Sequence, residues 1–162
     1  MFRACLLLCL FLAASPAWAW PATVERVIDG DTLLVRHQDS EIRKIRLFGI
    51  DCPEKGQPWG AEAAHEATRL AAGKEAEVTG LYLDRYGRTV ALVSLPGGAS
   101  LQRALLTSGM AWVDDRYCDR GECAGWRLTE QEACRERRGL WSENNPNPPW
   151  TWRKNRAQRS VK

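Results

Sequence analysis

Three short segments of the sequence carry charged side chains at positions that strand periodicity would not give them: VIDGDTLLV, IRLFGIDCPE and LDRYGRTVALV. Each lies at a strand edge or in a turn, and the first two supply the carboxylates of Asp31, Asp51 and Glu54. Carboxylate oxygens from separate strand ends are the ligands that a hard cation such as calcium prefers. The pattern predicts a cation site, although Asp-Gly at positions 29–30 is also the ordinary signal of a hairpin turn.

Two arginines, Arg46 and Arg88, stand in the second and third segments. A phosphodiester carries one negative charge and gains more during attack, so a site that hydrolyses it needs cations or forked donors at its non-bridging oxygens. Each arginine has a structural alternative, because Arg46 fits an outward-facing strand position and Arg88 a hairpin position paired with Asp84. Their coincidence with carboxylates near the same end of the strands favours phosphodiester chemistry.

Arg46 and Asp51 need a bend in the chain before they can act together. They are five residues apart, so on a regular strand their side chains point to opposite faces and lie roughly 16 Å apart. Gly49 lies between them and permits a bulge or a kink. We therefore predict that the strand ends at Gly49 and that Arg46, Asp51 and Glu54 face one site.

The elements that must position these segments are predicted to form an α+β fold. Apolar and β-branched runs, separated by turn signals, indicate three strands between positions 22 and 50. Helical spacing and further β-rich runs predict the following elements: a helix at 61–73, strands at 75–83 and 89–95, and helices at 100–109 and 124–138. Such an order suits a closed, five-stranded OB-type β-barrel with about three α-helices, in which Trp112, Trp126 and Trp141 are core residues.

The two ends of the chain differ from its middle. Arg3 precedes an apolar run at 4–14, and the small residues at 17 and 19 fit a cleavage site, so residues 1–19 are predicted to be a cleaved signal peptide. The run is shorter than the ~20 apolar residues of a membrane span. We expect an exported monomer, periplasmic or secreted, with one domain at 20–149, a basic tail at 150–162 and no membrane attachment after cleavage.

Basic charge is concentrated in that tail. Residues 150–162 hold five basic and no acidic residues, whereas residues 20–149 hold 17 basic and 20 acidic ones. The bulk charge of the domain is therefore no argument for a nucleic-acid partner. The tail is interpreted either as a solvated, frayed terminus or as a source of non-specific attraction to phosphates.

Four cysteines remain after the predicted cleavage, and an even number in an exported chain favours disulfides. Cys118 and Cys123 enclose a short polar loop and are the favoured pair, which leaves Cys52 with Cys134; the sequence permits all three pairings. A zinc site is the alternative, but the sequence contains no CxxC and neither histidine lies near the cysteines.

The three charged segments resemble those of the staphylococcal (thermonuclease-type, micrococcal) nuclease family. IDGDT, RLFGIDCPE and DRYGR occur in the family's order, and GLWSENNPNPPWTWRK is similar to the closing segment of many bacterial members. The resemblance covers roughly positions 22–154. It implies an OB barrel with three helices and a calcium-dependent, non-specific endonuclease that cleaves single-stranded or denatured DNA and RNA to leave 3′-phosphate ends.

The resemblance also implies which residues bind the metal and handle the attacking water. Calcium would be held by the carboxylates of Asp31 and Asp51 and by the backbone carbonyl of Cys52. Glu54 would act as general base or orient the attacking water. The loop at 55–59 is shorter than in the staphylococcal enzyme, so contacts to the substrate strand are expected to differ there.

The remaining implied roles concern the substrate. Arg46 and Arg88 would hold the scissile phosphate and neutralise charge in the transition state, and Tyr86 and Tyr117 match positions that contact the bound nucleotide. Asp115 stands where the staphylococcal enzyme has a second stacking tyrosine, so base preference is expected to differ. The alternative function is a catalytically silent OB module that binds nucleic acid or a protein. The complete set of charged residues favours the enzyme.

Overall fold

The computed structural model of the protein describes residues 18–159. The predicted signal peptide lies outside these residues except for its last two positions, and the first strand begins at Ala19. Between residues 18 and 159, no helix has the length and apolar character that crossing a lipid bilayer requires.

Five strands close a β-barrel. They are β1 (Ala19–Asp29), β2 (Thr32–His37), β3 (Ile42–Leu47), β5 (Glu75–Leu83) and β6 (Thr89–Ser94). Their order around the barrel is β1-β2-β3-β6-β5, and β5 pairs back with β1. All neighbours are antiparallel except β3 and β6, which run parallel. The predicted five-stranded OB-type barrel in an α+β fold is confirmed.

Side chains alternate between the inside and the outside of the barrel along each strand, and the inward ones are apolar. Positions two residues apart on each strand point to the same face, and the inward positions are mostly valine, isoleucine, leucine or alanine. The fully buried side chains of the barrel strands include Val24, Leu33, Val35, Ile45, Leu47, Val78 and Val93. Because the interior is packed, the charged residues of the three segments are left to the barrel rim and its turns.

One helix lies between the barrel strands in the sequence, and the other three follow the last of them. They are α1 (Gly60–Ala71), α2 (Leu101–Thr107), α3 (Glu122–Arg135) and α4 (Pro149–Arg159), with a 3₁₀ turn at Gly139–Ser142 between the last two. Two short strands, β4 (Ile50–Asp51) and β7 (Trp112–Val113), pair beside the barrel. The first three helices are those predicted, with shifted ends, and α4 makes a fourth.

The fourth helix corrects the interpretation of the C-terminal stretch. The sequence predicts a basic tail at 150–162 beyond the domain, with a frayed terminus as one interpretation, yet α4 begins at Pro149 and continues to Arg159. Proline is well suited to the first position of a helix, because its missing N–H would have no partner there and its φ is already helical. The basic residues of this stretch are therefore held on an ordered helix up to Arg159.

The disulfide prediction is confirmed for one pair and wrong for the other. Cys118 and Cys123 are joined, with 5.6 Å between their Cα atoms. Cys52 and Cys134 are both free thiols. Cys52 is buried in the core, whereas Cys134 is exposed on α3, so the pairing that elimination left over joins a core position to a surface position.

Candidate active site

The turn after β3 brings Arg46 and Asp51 together. Gly49 adopts a φ of 71°, and a Cβ atom there would lie 2.8 Å from Sγ of Cys118 and 2.9 Å from the Trp126 ring. A left-handed glycine thus reverses the chain where a larger residue has no space. As a result, Nη2 of Arg46 donates to Oδ1 of Asp51 at 2.9 Å, and the predicted bend is confirmed.

Asp31 reaches the same point from the turn between β1 and β2. Its Oδ2 accepts a hydrogen bond from the backbone N–H of Cys52 at 2.7 Å and forms an ion pair with Nη1 of Arg46. The preceding Gly30 makes this approach possible, since a Cβ there would lie 2.5 Å from Cβ of Cys52. Asp31 is only 7% exposed, so the carboxylate is fixed against the β4 backbone.

Burial and nearby negative charge raise the pKa values of Asp31 and Asp51. Burial raises the pKa of Asp31 to about 6, with the Arg46 charge opposing the rise and the Asp29 charge adding to it. Burial also raises the pKa of Asp51; a hydrogen bond from Arg153 opposes this and the Asp31 charge adds to it. Burial alone would lower the pKa of Arg46, but the carboxylates of Asp31 and Asp51 outweigh it and raise that pKa.

Arg153 is the residue that the sequence reasoning missed. It projects from α4, where Nη1 donates to Oδ1 of Asp51 at 3.2 Å and to Oε1 of Glu54 at 2.5 Å, while Nη2 donates to Oδ2 of Asp51 at 2.7 Å. One guanidinium therefore bridges the predicted metal-binding and water-handling carboxylates. A signal was present in the sequence: basic residues that begin four positions after a proline that can begin a helix.

Glu54 is positioned through the loop that follows it. Its backbone N–H donates to Oε1 of Gln57 at 3.0 Å, and Nε2 of Gln57 donates in turn to the carbonyl of Asn147 at 2.6 Å. Gly60 begins α1 so close by that a Cβ there would lie 2.1 Å from the carbonyl oxygen of Glu54. The short loop at 55–59 is thus tied to the closing segment of the chain.

The third charged segment faces the cleft from the hairpin between β5 and β6. Nε of Arg88 donates to Oδ2 of Asp84 at 2.7 Å, which is the hairpin pairing considered as its structural alternative. The guanidinium also lies 5.4 Å from the ring centre of Tyr86, which is exposed. Arg88 therefore lines the cleft but contacts neither Asp31 nor Asp51 by a hydrogen bond or an ion pair within the part of the chain that the structure describes.

A further arginine also lines the cleft. Arg116 forms a bidentate pair with Asp114, at 2.8 and 2.7 Å, and its Nη2 lies 3.9 Å from Oδ2 of Asp51. Its guanidinium packs 5.5 Å from the ring centre of Tyr117. Asp115 pairs with an arginine of α3 at 2.7 Å and does not line the cleft.

All eight predicted site residues line one open cleft with a volume of about 580 Å³. They are Asp31, Arg46, Asp51, Cys52, Glu54, Tyr86, Arg88 and Tyr117. Acidic groups converge at its centre, arginines lie around them, and three exposed tyrosines, Tyr82, Tyr86 and Tyr117, also line it. Such a cleft can bind a polyanion at its edge and a cation in its middle.

The donor set of the cleft fits a hard cation. Two buried carboxylates whose ionisation is opposed by burial gain most from a nearby positive charge, and all the predicted ligands are oxygens. Among residues 18–159, no three His, Cys, Asp or Glu side chains form a complete cage. A cation here would take most of its ligands from water or substrate, and the Cys52 carbonyl as a ligand stays a prediction.

Comparison with known proteins gives a consistent result. The model of the staphylococcal nuclease homologue family matches residues 44–143. The chain is 37% identical over 143 residues to an uncharacterized endonuclease of Escherichia coli O157:H7, across 84% of this chain and 91% of that protein. It is 38% identical over 154 residues to a micrococcal nuclease of Shigella flexneri, across 90% and 87%. A staphylococcal-like nuclease of Arabidopsis thaliana is 42% identical over 113 residues, across 70% and 34%.

Proposed function

The chain belongs to the family of staphylococcal nuclease homologues and is a nuclease hydrolase, and from this we propose that it is an exported, calcium-dependent endonuclease. The proposed substrates are single-stranded or denatured DNA and RNA, which it cleaves without sequence specificity to leave 3′-phosphate ends. The observation that carries the proposal is the convergence of Arg46 on both Asp31 and Asp51, beside Glu54, in one open cleft.

In the proposed reaction, a water oxygen attacks phosphorus while Glu54 accepts the proton of that water. A 3′-phosphate product requires that the bond from phosphorus to the 5′ oxygen breaks, and the departing oxygen then takes up a proton to become a 5′-hydroxyl group. A bound calcium ion would supply electrostatic stabilisation of the negative charge that develops. Arg46 and Arg88 are proposed to hold the non-bridging oxygens with their remaining N–H donors.

Typical rate contributions indicate which groups supply most of the catalysis. Enzymes lower reaction barriers by ~8 to 23 kcal/mol, and phosphate esters lie toward the demanding end of that range. One general base contributes only about 10² to 10⁴ in rate. The arginines and the cation must therefore stabilise most of the charge in the transition state, which is consistent with a cleft where cationic side chains surround a few carboxylates.

A direct test uses the protein without its first 19 residues, denatured DNA, and buffers that contain either calcium or a chelator. We expect cleavage in calcium, no cleavage with chelator, and fragments whose 3′ ends carry phosphate. Glu54→Gln is expected to reduce turnover by about 10² to 10⁴. Glu62→Gln, an exposed glutamate in the first turn of α1, is the matched control and is expected to retain wild-type turnover.

Several outcomes would contradict the proposal. Binding of DNA without any cleavage in calcium would favour the catalytically silent OB module. Equal cleavage with chelator would remove the role of calcium. Export is tested separately by fractionation of the producing cells and by the N-terminal residue of the mature protein, which is expected to be Trp20.

A further inference from the structure

A second concave surface adjoins the cleft and is lined by basic and polar residues. It is a groove of about 380 Å³ between the loop after Glu54 and helix α4, and we call it the α4 groove. Its charged lining residues are Lys55, Arg156 and Arg159, and no acidic residue lines it. The remaining walls come from Gly56, Trp152 and two asparagines.

The walls of the α4 groove are formed by sequence neighbours of residues that line the active-site cleft. Lys55 follows Glu54 directly, and on α4 Trp152 directly precedes Arg153, which lines the cleft. On α4, residues 152, 156 and 159 have the spacing of one helix face. Arg153 lies on the neighbouring face and donates to Asp51. Helix α4 therefore presents one arginine to the cleft and two to the groove.

The groove concentrates positive charge in a domain whose remainder is slightly acidic. Residues 20–149 hold three more acidic than basic residues, whereas the stretch from 150 onward holds five basic residues and no acid. Neither Lys55 nor Arg159 forms an ion pair with another described residue, and both are exposed. Their charge is therefore available to a polyanion.

The loop and the helix that line the groove are tied together, and Trp152 gives the groove an aromatic wall. The bond from Gln57 to the carbonyl of Asn147 ties the loop to the segment before α4. Nε1 of Trp152 is buried and finds no acceptor among residues 18–159. A basic groove with an aromatic wall, next to an OB barrel, is the usual combination for binding a single strand along its backbone.

We propose that the α4 groove binds the phosphates of the nucleic-acid strand beyond the scissile bond. The proposal rests on the proposed function, because it assigns the same substrate a second contact region. Lys55 and Arg159 contact the backbone without reading bases, so the groove adds affinity that is independent of sequence and sensitive to salt.

The test measures equilibrium binding of a single-stranded oligonucleotide of about 16 nucleotides, the upper end of OB-fold site sizes, in chelator at several salt concentrations. Single strands lose about 0.7 in the slope of log affinity against log salt for each phosphate contact removed. The double variant Lys55→Ala/Arg159→Ala is therefore expected to show a slope smaller by about 1.4 and an affinity lower by more than about tenfold at low salt. Lys55→Arg and Arg159→Lys keep the charges and are expected to restore both.

Arg103→Ala is the matched control, since Arg103 is exposed on α2 and lines neither concave surface. An unchanged slope in the double variant, or an equal loss in Arg103→Ala, would overturn the proposal. Binding of anionic lipid vesicles that is lost in the double variant while oligonucleotide binding is retained would overturn it in favour of a membrane surface. Cleavage of denatured DNA by the wild-type protein in calcium reports on the proposed function independently of these binding data.

Discussion

Replacement of Arg153 by glutamine is the most informative perturbation of the site. Arg153 donates to both oxygens of Asp51 and to Glu54, at 2.5 to 3.2 Å. Asp51 is 1% exposed, so it depends on its partners for compensation of its charge. After the change Asp51 keeps the 2.9 Å bond from Arg46, whereas Glu54 loses its ion pair with α4.

The expected loss of stability follows from this geometry. Breaking a fully buried ion pair by removing one partner costs about 3 to 5 kcal/mol. The Arg153 side chain is 43% exposed and Arg46 remains in place, so solvent and the second arginine reduce the cost to about 1 to 2 kcal/mol. For a domain of this size, that corresponds to a fall in melting temperature of roughly 3 to 8 °C.

Turnover and calcium affinity are expected to change in opposite directions. Turnover should fall by about 10 to 10², because Glu54 is no longer held in register with Asp51 and small displacements of a catalytic group are costly. Calcium binding should become roughly 30-fold tighter, since one positive charge about 4 Å from a divalent cation contributes about 2 kcal/mol of repulsion in water-like surroundings. The assays are single-turnover cleavage of denatured DNA and a calcium titration followed calorimetrically.

Two variants control for this result. Lys154→Gln removes a positive charge from the next position of α4, outside both concave surfaces, and is expected to behave as wild type in all three measurements. Arg153→Lys keeps the charge but lacks the planar fork that bridges two carboxylates, so turnover should be intermediate. If Arg153→Gln matched Lys154→Gln in melting temperature and turnover, the argument that Arg153 positions the carboxylates would be wrong.

Three further predictions concern the elements that hold the site. Gly49→Ala should destabilise the protein by more than about 2 kcal/mol in denaturant titration, because the φ is positive and a Cβ would clash with Sγ of Cys118; equal stability would contradict the clash. Reduction of the Cys118–Cys123 disulfide should cost about 2 kcal/mol by the loop-entropy relation, seen as a lower unfolding midpoint that Cys118→Ser/Cys123→Ser reproduces without reductant. In chelator, the wild-type melting temperature should fall as the pH rises from about 4 to 6. The reason is that folded Asp31 keeps its proton up to a pKa of about 6, whereas the unfolded residue loses its proton near pH 4. Asp31→Asn should flatten that slope, and an unchanged slope would assign the titration to another group.

The barrel strands were predictable because each is marked by a pattern among residues that are neighbours in the sequence. The runs that became β5 and β6 were bounded to within one residue, and the turn at Gly49 followed from parity: Arg46 and Asp51 needed a bend, and only one glycine lay between them. Such inferences depend on a few neighbouring residues. They succeed where the side-chain period and the turn residue agree.

The position of α4 was not predictable in the same way, because it depends on contacts far apart in the sequence. Arg153 and Asp51 are separated by 102 residues, and Gln57 and Asn147 by 90. The sequence predicts only a basic tail from position 150, and the docked helix reveals that Pro149 begins an element. The Cys52–Cys134 pairing failed similarly, since counting cysteines carries no information on which are buried.

The path of the chain through the site has a consequence for the order of synthesis. Asp31, Arg46, Asp51 and Glu54 are made early, but the guanidinium that bridges Asp51 and Glu54 comes from α4, near the C-terminal end of the chain. During translation the barrel can form before that helix exists, and its carboxylates then lack one of their two close cationic partners. Full activity is therefore expected only after residues 149–159 have been made and α4 has docked, so a nascent chain that lacks them should be a poor nuclease while it is still close to the nucleic acids of its own cell.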